Sequence, residues 1–376
     1  MKKISLWLGA ALMAVGCSQA PKGSFLQAEI SGMSADDSVL VIYGELKDTL
    51  AAPNGVFTYE YKDTVAGRVM FYEIPKNLGN GMMEQFRMNP LVVLMQPGQS
   101  LKVTGSFDKY SVTGNEFYEA YNAACDQLAA ADSVRQVARD AYMDLLRNQA
   151  PQEEIKAKFA IVKEVDKVYQ QQVIEYVANH LDSDAALYLL FLNSSAEGAN
   201  YIEKFSPEVK NGALKDVYKD LSAYYEKMLA RKKAAEFIKV GLPAPDFTLK
   251  NLKGEDFQLS SLRGKYVVLD FWGSWCGWCI KGFPDMKKMY QKYNGKLEIV
   301  GVDCRDAEDK WKAAVAKHEL PWVNVINGTE KNDLTTVYNI GGFPTKLIIS
   351  PEGNIVDIVV GEKPEFYETI KKLMKK

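Results

Sequence analysis

Residues 266–272 read Tyr-Val-Val-Leu-Asp-Phe-Trp, a nearly continuous apolar run that contains one acid, Asp270. Runs of this kind are typical of strands buried on both faces, and such burial requires a sheet that is covered by helices on each side. A second apolar run covers residues 297–302. The two runs therefore predict a sheet with helices packed on it in the last third of the chain.

The segments around these runs supply the other elements of that sheet. Residues 346–349 and 355–360 are predicted to form strands that pair across the Pro-Glu-Gly-Asn turn at 351–354. Apolar residues at helical spacing predict helices at 278–293, 307–318 and 364–375. We assign residues 238–376 to one α/β domain, because strands and helices alternate throughout this region.

Short alternating apolar segments, separated by turn residues, occupy the chain before residue 114. The pattern predicts a β-rich domain over residues 17–113. Its predicted strands lie at 25–30, 39–46, 56–61, 69–74, 91–95 and 101–105. Asn54-Gly55 and Pro97-Gly98 are turn dipeptides of the kind that connect hairpins, so we expect a hairpin at each.

Between the β-rich and α/β regions, apolar residues recur at spacings of three and four. This spacing predicts an all-helical segment over residues 114–237. Thr113 and Glu116 stand at its start with the spacing of a capping box. The chain is therefore predicted to be multidomain, with a β-rich domain, a helical segment and a C-terminal α/β domain.

The first residues of the chain resemble a secretory signal. Lys2 and Lys3 precede an apolar run that is too short to cross a bilayer. Ala14-Val-Gly-Cys17 resembles the bacterial lipobox, which implies a signal peptide at 1–16 and lipid attachment at Cys17. Ordinary cleavage near Gly16 or Ala20, without a lipid, is the alternative.

The lipobox resemblance also implies a location. A chain processed in this way belongs to the bacterial cell envelope, anchored to a membrane by its lipid and facing the periplasm. Ser18, directly after Cys17, resembles the residue found in lipoproteins that are sent to the outer membrane.

Composition excludes several classes of function. The 46 Lys and Arg residues against 48 Asp and Glu residues give a net charge of −2, which provides no basic surface for nucleic acid. Two histidines leave little for a His-based metal site or a Ser/His/Asp triad. We therefore expect no nucleic-acid partner and no metal.

Two cysteines, Cys276 and Cys279, follow the first apolar run at the start of a predicted helix. Thiols at this spacing can close a disulfide, and the helix dipole with its free N–H groups stabilises a thiolate on the first of them. Cys276 is therefore the candidate nucleophile and Cys279 the candidate resolving thiol. A zinc site that also uses Cys304 and His318 is the alternative.

The stretch from Val267 to Cys279 resembles the active-site strand, turn and helix of the thioredoxin superfamily. The resemblance covers residues 238–376 and implies a thioredoxin-like fold for this domain. Asp270, six residues before Cys276, stands where that superfamily carries a buried acid. The resemblance implies that this carboxyl group, its pKa raised by burial, accepts the Cys279 proton during exchange.

Gly341-Gly-Phe-Pro-Thr345 resembles the cis-proline loop that faces the disulfide in the same superfamily. The resemblance implies that the Phe343 backbone offers hydrogen bonds to an extended substrate strand, and that the Pro344 ring excludes metal ions from the thiols. The predicted substrate-facing surface comprises Trp275, Gly277, Trp278, Phe343 and Pro344.

Residues 243–247 and 261–265 resemble the corresponding segments of the TlpA/ResA group of extracytoplasmic thiol-disulfide oxidoreductases. This resemblance implies an enzyme that exchanges disulfides with protein thiols and receives electrons from a membrane-side donor. It implies no cofactor beyond the two cysteines. The expected direction is reduction of protein disulfides.

Three positions depart from known redox patterns. Gly282 stands where ResA-type reductases carry a glutamate, and Trp278 stands where proline or histidine is common. Without a histidine between the cysteines, we expect a potential nearer about −270 mV than about −120 mV. Gly273, three residues before Cys276, breaks the threonine-cysteine pattern of peroxiredoxins.

More than half of the predicted mature chain lies outside residues 238–376. This keeps a second function open, that of an envelope lipoprotein that binds or assembles a partner on a thioredoxin-like scaffold. The additional regions could instead select substrates or mediate homodimerisation. Cys125 and Cys304 are interpreted as small buried hydrophobic residues, with an interdomain disulfide as the alternative.

Overall fold

The computed structural model describes residues 23–74, 90–329 and 333–375. The chain divides into two compact units between Ser222 and Ala223. The predicted signal peptide and the predicted lipidation site, Cys17, lie outside the described residues. The assignment of three domains, at 17–113, 114–237 and 238–376, therefore stays a prediction.

The first unit begins with two four-stranded sheets. Their strands are β1 (Ser24–Ile30), β2 (Ser38–Tyr43), β3 (Leu46–Ala51), β4 (Val56–Tyr61), β5 (Gly67–Ile74), β6 (Leu91–Met95), β7 (Ser100–Gly105) and β8 (Tyr110–Thr113). One sheet has the order β4-β1-β7-β8 and the other β3-β2-β5-β6. The rings of Phe57 and Tyr59 on β4 lie 5.4 and 5.5 Å from that of Phe71 on β5, so the sheets pack face to face.

The predicted hairpins at Asn54-Gly55 and Pro97-Gly98 are wrong. Both dipeptides do turn the chain, but the first connects β3 to β4 and the second connects β6 to β7, and each pair of strands belongs to different sheets. A strand-turn-strand pattern looks the same whether the second strand pairs beside the first or crosses to the facing sheet. The predicted strand at 39–46 is also interrupted, because the chain turns at Gly44 between β2 and β3.

Helices follow the sheets. They are α1 (Glu116–Arg147), α2 (Gln152–Asn179), α3 (Asp184–Leu192), α4 (Pro207–Asn211) and α5 (Lys215–Ala234), and the boundary between the units falls within α5. The capping-box prediction is wrong: Asn115 caps α1 by accepting a hydrogen bond from the Tyr118 N–H at 2.9 Å. Thr113 instead ends β8, and Gly114, with φ of +122°, turns the chain toward the helix.

The second unit contains a five-stranded mixed sheet and a short hairpin. Its strands are β9 (Thr248–Lys250), β10 (Asp256–Gln258), β11 (Tyr266–Trp272), β12 (Leu297–Asp303), β13 (Val323–Ile326), β14 (Thr345–Ile349) and β15 (Ile355–Val360). The large sheet has the order β13-β12-β11-β14-β15, in which β11 is parallel to β12 and antiparallel to β14. Its helices are α6 (Gly277–Lys292), α7 (Glu308–Lys317), α8 (Leu334–Val337) and α9 (Pro364–Leu373).

Apolar clusters cover both faces of this sheet. Val268 and Trp272 of β11 point to one face, where they meet Phe283 of α6. Val267 and Leu269 point to the other face. The prediction that β11 is buried on both sides is confirmed, and it explains why the run of apolar residues is nearly continuous.

Candidate active site

The cysteine pair lies at the junction of β11 and α6. Cys276 is the N-cap of α6, and its Sγ accepts a hydrogen bond from the Cys279 N–H at 3.2 Å. A disulfide joins the two residues, with their Cα atoms 5.3 Å apart. Cys276 is 6% exposed and Cys279 is 1% exposed. Cys276 therefore presents the more accessible sulfur, at a helix N-terminus that favours negative charge.

Three aromatic side chains, which we call the aromatic rim, surround the disulfide: Trp275, Trp278 and Phe343. The indoles of Trp275 and Trp278 are 47% and 63% exposed. The Trp275 ring packs edge-on against Phe343 at 5.2 Å, and its Nε1 donates a hydrogen bond to the Cys304 carbonyl at 3.0 Å. Large apolar rings left exposed in this way are typical of a binding surface.

Two further residues of the predicted surface adjoin the rim. The Phe343–Pro344 peptide bond is cis. Gly277 is exposed between the two cysteines, and a Cβ atom at this position would have no heavy atom within 4 Å. The surface at Gly277, between the two cysteines, is therefore open.

Two cations lie against the aromatic rim. The Arg305 guanidinium lies 5.5 Å from the centre of the Trp275 ring and 5.3 Å from that of Phe343. The Lys281 ammonium lies 4.9 Å from the Trp278 ring. Neither cation forms a salt bridge with an acid in the part of the chain that the structure describes. The rim therefore carries positive charge as well as apolar surface.

Two buried and two partly buried polar side chains lie together around β11 and β14, and we call them the charge cluster: Asp270 and Lys346, with Glu362 and Tyr367. Asp270 and Lys346 are each 1% exposed and stand opposite one another on β11 and β14. The Lys346 Nζ lies 3.6 Å from Asp270 Oδ1 and 2.7 Å from Glu362 Oε2. The Tyr367 hydroxyl donates to Glu362 Oε1 at 2.6 Å.

The charge cluster alters the acidity of Asp270. Burial raises the pKa of this carboxyl group above its usual value, the nearby Lys346 ammonium opposes that rise, and Glu362 adds to it. A raised pKa brings a carboxyl group closer to the range in which it can exchange protons with a thiol.

Gly282 makes room for the charge cluster. A Cβ atom on Gly282 would lie 2.4 Å from a carboxylate oxygen of Glu362. The Tyr367 hydroxyl also lies 3.4 Å from the Gly282 carbonyl oxygen, to which it can donate. Gly282, which departs from the ResA pattern, therefore leaves the volume that the Glu362 carboxylate occupies.

The loop after β12 supports the cysteine turn. Asp306 accepts hydrogen bonds from the Ser274 N–H at 2.6 Å and from the Ser274 hydroxyl at 2.8 Å. Burial, with a smaller contribution from Asp306, raises the pKa of Asp303 to about 8. These contacts hold the residues before Cys276 in place.

The other two cysteines in the described part of the chain, Cys125 and Cys304, are free thiols. Cys304 is fully buried, as expected, and burial raises the pKa of its thiol well above the usual value. Cys125 is only half-buried, because it lies at the margin of the apolar face of α1. Among the described residues there is no cluster of three or more potential metal ligands. The His318 ring packs against Phe283 at 5.5 Å.

Sequence reasoning named the cysteines, Asp270 and the rim, but it missed Lys346, Glu362, Arg305 and Asp306. Lys346 did carry a signal, since it is a single charge in the apolar strand Thr-Lys-Leu-Ile-Ile. Glu362 carried none, because it follows a glycine in a loop and joins the cluster only through tertiary contacts with Lys346 and Tyr367.

Comparison with known proteins finds relatives of the second unit. The profile of the AhpC/TSA family matches residues 240–358. "Thiol-disulfide oxidoreductase ResA" of Bacillus cereus is 35% identical over 130 residues, which cover 34% of this chain and 73% of that protein. "Thioredoxin-like protein YneN" of Bacillus subtilis is 37% identical over 127 residues, covering 33% of this chain and 73% of that protein.

Among solved structures, the thioredoxin domain of a thiol-disulfide oxidoreductase from Bacteroides vulgatus is 34% identical, with a TM-score of 0.33. The match covers 36% of this chain and 98% of that domain. The fold of the second unit and its Cys-x-x-Cys disulfide define a thioredoxin-like protein. Within that class, the chain belongs to the ResA-like family, and it is a thiol-disulfide oxidoreductase.

Proposed function

We propose that this protein reduces disulfides of other proteins outside the cytoplasm through Cys276 and Cys279. The observation that carries the proposal is the disulfide at the N-terminus of α6, surrounded by the exposed aromatic rim and the cis-proline loop. Family membership gives the reaction class. The assignment of direction and of residue roles is ours.

In the reduced enzyme, the Cys276 thiolate attacks one sulfur of a substrate disulfide. A bond forms between Cys276 Sγ and that sulfur, the substrate S–S bond breaks, and the second substrate sulfur leaves with the electron pair. Cys279 then gives its proton to Asp270 and attacks Cys276 Sγ. The remaining substrate sulfur leaves, and the enzyme is left as the Cys276–Cys279 disulfide.

The aromatic rim and the cis-proline loop bind the substrate in this proposal. Trp275, Gly277 and Trp278 face the peptide around the substrate cysteine, while the Phe343 backbone pairs with it as an added strand and Pro344 shields the thiols. Arg305 and Lys281 favour a peptide with acidic residues near its cysteine, because opposite charge increases the rate of encounter.

The first residues of the chain support a location of this chemistry in the cell envelope. We propose cleavage of residues 1–16, lipid attachment at Cys17 and exposure to the periplasm, with the outer membrane as destination. No helix among the described residues is long and apolar enough to cross a bilayer. In this proposal the enzyme disulfide is re-reduced by a membrane-side donor, and the reaction requires no cofactor beyond Cys276 and Cys279.

The first unit suggests a second function. Two packed sheets and several helices precede the catalytic unit, and the reported similarities cover only about a third of the chain. An envelope lipoprotein that captures or assembles a partner would need such a region. In the main proposal, the same region selects substrates or mediates homodimerisation.

Reduction of insulin disulfides by cysteine variants tests the main proposal. Cys276→Ser is expected to abolish turnover, and Cys279→Ser is expected to accumulate mixed disulfides that a thiol reductant releases. Cys125→Ser is the matched control, since Cys125 is a free thiol on α1, and it should keep full activity. Unchanged activity in Cys276→Ser would favour the partner-binding function instead.

A further inference from the structure

Lys346 is a buried cation that thiol exchange by itself does not require. It is 1% exposed and lies in the central part of the sheet, where an unpaired ammonium would be strongly unfavourable. Asp270 and Glu362 both face it, so one positive charge is shared between two carboxyl groups.

The two carboxyl groups do not share Lys346 equally. Lys346 Nζ donates to Glu362 at 2.7 Å, whereas its 3.6 Å separation from Asp270 exceeds hydrogen-bond distance. Glu362 also accepts the Tyr367 hydroxyl, while the buried Oδ1 of Asp270 has no hydrogen-bond partner in the described part of the chain. Glu362 therefore has two hydrogen-bond donors facing its carboxyl group, whereas Asp270 Oδ1 has none among the described residues.

The contacts also connect the charge cluster to the cysteine helix. Glu362 lies against Gly282 of α6, and Tyr367 of α9 donates its hydroxyl proton to Glu362 while lying 3.4 Å from the Gly282 carbonyl oxygen. Gly282 lies three residues after Cys279 on the same helix. Substitution of Glu362 therefore alters the charge near Asp270, because both acids face Lys346. It also alters the packing against α6, because Glu362 lies against Gly282.

We propose that Glu362, acting through Lys346, sets the protonation state of Asp270 and thereby the pH range in which Cys279 resolves the mixed disulfide. The inference rests on the proposed function, since it requires Asp270 to accept the Cys279 proton. Glu362 and Lys346 are positioning residues, because neither gains nor loses electrons or touches the reacting sulfurs.

Lys346 and Glu362 have opposite effects on the ionisation of Asp270. Lys346 from β14 stabilises its anion, while Glu362 from the loop after β15 destabilises it. Tyr367 on α9 and the Cys304 thiol after β12 also interact with it, but both are neutral near pH 7 because burial raises the pKa of each. Loss of the Glu362 charge therefore favours the Asp270 carboxylate, and loss of the Lys346 charge favours its protonated form.

The reaction of the reduced full-length protein with the aromatic disulfide DTNB separates the steps. Attack by Cys276 releases one coloured thiolate at a rate that depends on DTNB concentration. Resolution by Cys279 releases a second thiolate at a rate independent of it. The pH profile of this second phase reports on the base that accepts the Cys279 proton.

Glu362→Gln is expected to move the midpoint of the second phase to lower pH by about one unit, and Lys346→Met to higher pH by about one unit. The double variant should return toward the wild-type midpoint. Glu368→Gln and Lys371→Met are the matched controls, because these residues form an exposed ion pair at 2.7 Å on α9. Both controls should keep the wild-type profile.

The two phases of the DTNB reaction distinguish a failure of the proposed function from a failure of the proposed role of Glu362. A wild-type protein without a concentration-dependent first phase would contradict the proposed function itself. A normal first phase with an unshifted midpoint in Glu362→Gln, or shifts of the same sign in both single variants, would overturn the role of Glu362. If Lys346→Met does not fold, the midpoint measured for Glu362→Gln alone tests the proposal, since this substitution removes the charge of the side chain and keeps its shape.

Discussion

Gly282 shows how one missing side chain can determine the architecture of a site. Glycine inside a helix usually costs about 1 kcal/mol relative to alanine. At this position, however, an added methyl group would lie 2.4 Å from the Glu362 carboxylate, which Lys346 and Tyr367 hold in place. Glycine is therefore the residue that fits at position 282 without displacing the Glu362 carboxylate.

We expect Gly282→Ala to lower the free energy of unfolding by about 1–3 kcal/mol, because the methyl group displaces Glu362 from its partners. Gly277→Ala, where a Cβ atom meets nothing within 4 Å, should change stability by less. Chemical denaturation of both variants measures the difference. A Gly282→Ala protein that is more stable than the wild type would show that Glu362 moves aside freely.

Asp303 gives a pH-dependent prediction at the same scale. Its pKa is raised to about 8 from a usual value of 3.8, so the folded state binds a proton that the unfolded state releases between these values. Stability is therefore full at low pH and falls as pH rises toward 8, by up to about 1.4 kcal/mol per pH unit from this group.

Asp303→Asn is expected to remove that loss, so that its stability relative to the wild type increases between pH 5 and about pH 8. Urea denaturation across this range measures it. Asp285→Asn, which changes an exposed acid on α6, is the control and should leave the slope unaltered. A wild-type slope that persists in Asp303→Asn would assign the titration to another group.

At the scale of elements, the part of α5 that belongs to the second unit forms an ion pair with the start of α8. Lys227 Nζ lies 2.6 Å from Asp333 Oδ2 at the start of α8. Although burial opposes it, Lys227, Thr335 and Asn327 together lower the pKa of Asp333. Asp333 is also the N-cap of α8, since its side chain accepts the Thr335 N–H.

Lys227→Met should destabilise the protein by about 1 kcal/mol, because the substitution leaves the Asp333 carboxylate with fewer partners. The exposed Lys233 supplies the control, since Lys233→Met removes a charge from the same helix without breaking a described ion pair. Thermal unfolding compares the two. Equal loss in both variants would mean that the Lys227 contact contributes nothing specific.

Elements were predictable from sequence where burial leaves a strong pattern. The strand at 266–272 was predicted with its observed bounds, since both of its faces are apolar. Other segments failed for physical reasons. The four-residue β13 and α8 are too short to show a period, and the sheet assignment of β4 depends on long-range pairing with β1.

The same limit applies to the candidate site. The cysteines could be found from their spacing, but Glu362 reaches the site only by tertiary packing.

At the scale of the whole molecule, the proposed membrane attachment depends on Cys17, which lies outside the described residues. In cells that express the full-length chain, Cys17→Ala should move the protein from the membrane fraction to the soluble fraction. The reason is that acyl chains contribute about 0.8 kcal/mol for each buried CH₂ group. Fractionation followed by immunoblotting measures this, with Ser18→Ala as the control. Membrane retention of Cys17→Ala would contradict the lipid anchor.

The most direct test of the reductase is the equilibrium potential of the Cys276/Cys279 couple. Trp275 and Trp278 lie beside the disulfide, so tryptophan fluorescence in thiol buffers should follow its reduction. We expect one reversible two-electron transition near or below about −270 mV, as a disulfide reductase requires. A potential near about −120 mV would indicate a disulfide-forming oxidant, and the absence of any reversible transition would contradict a redox role for the pair.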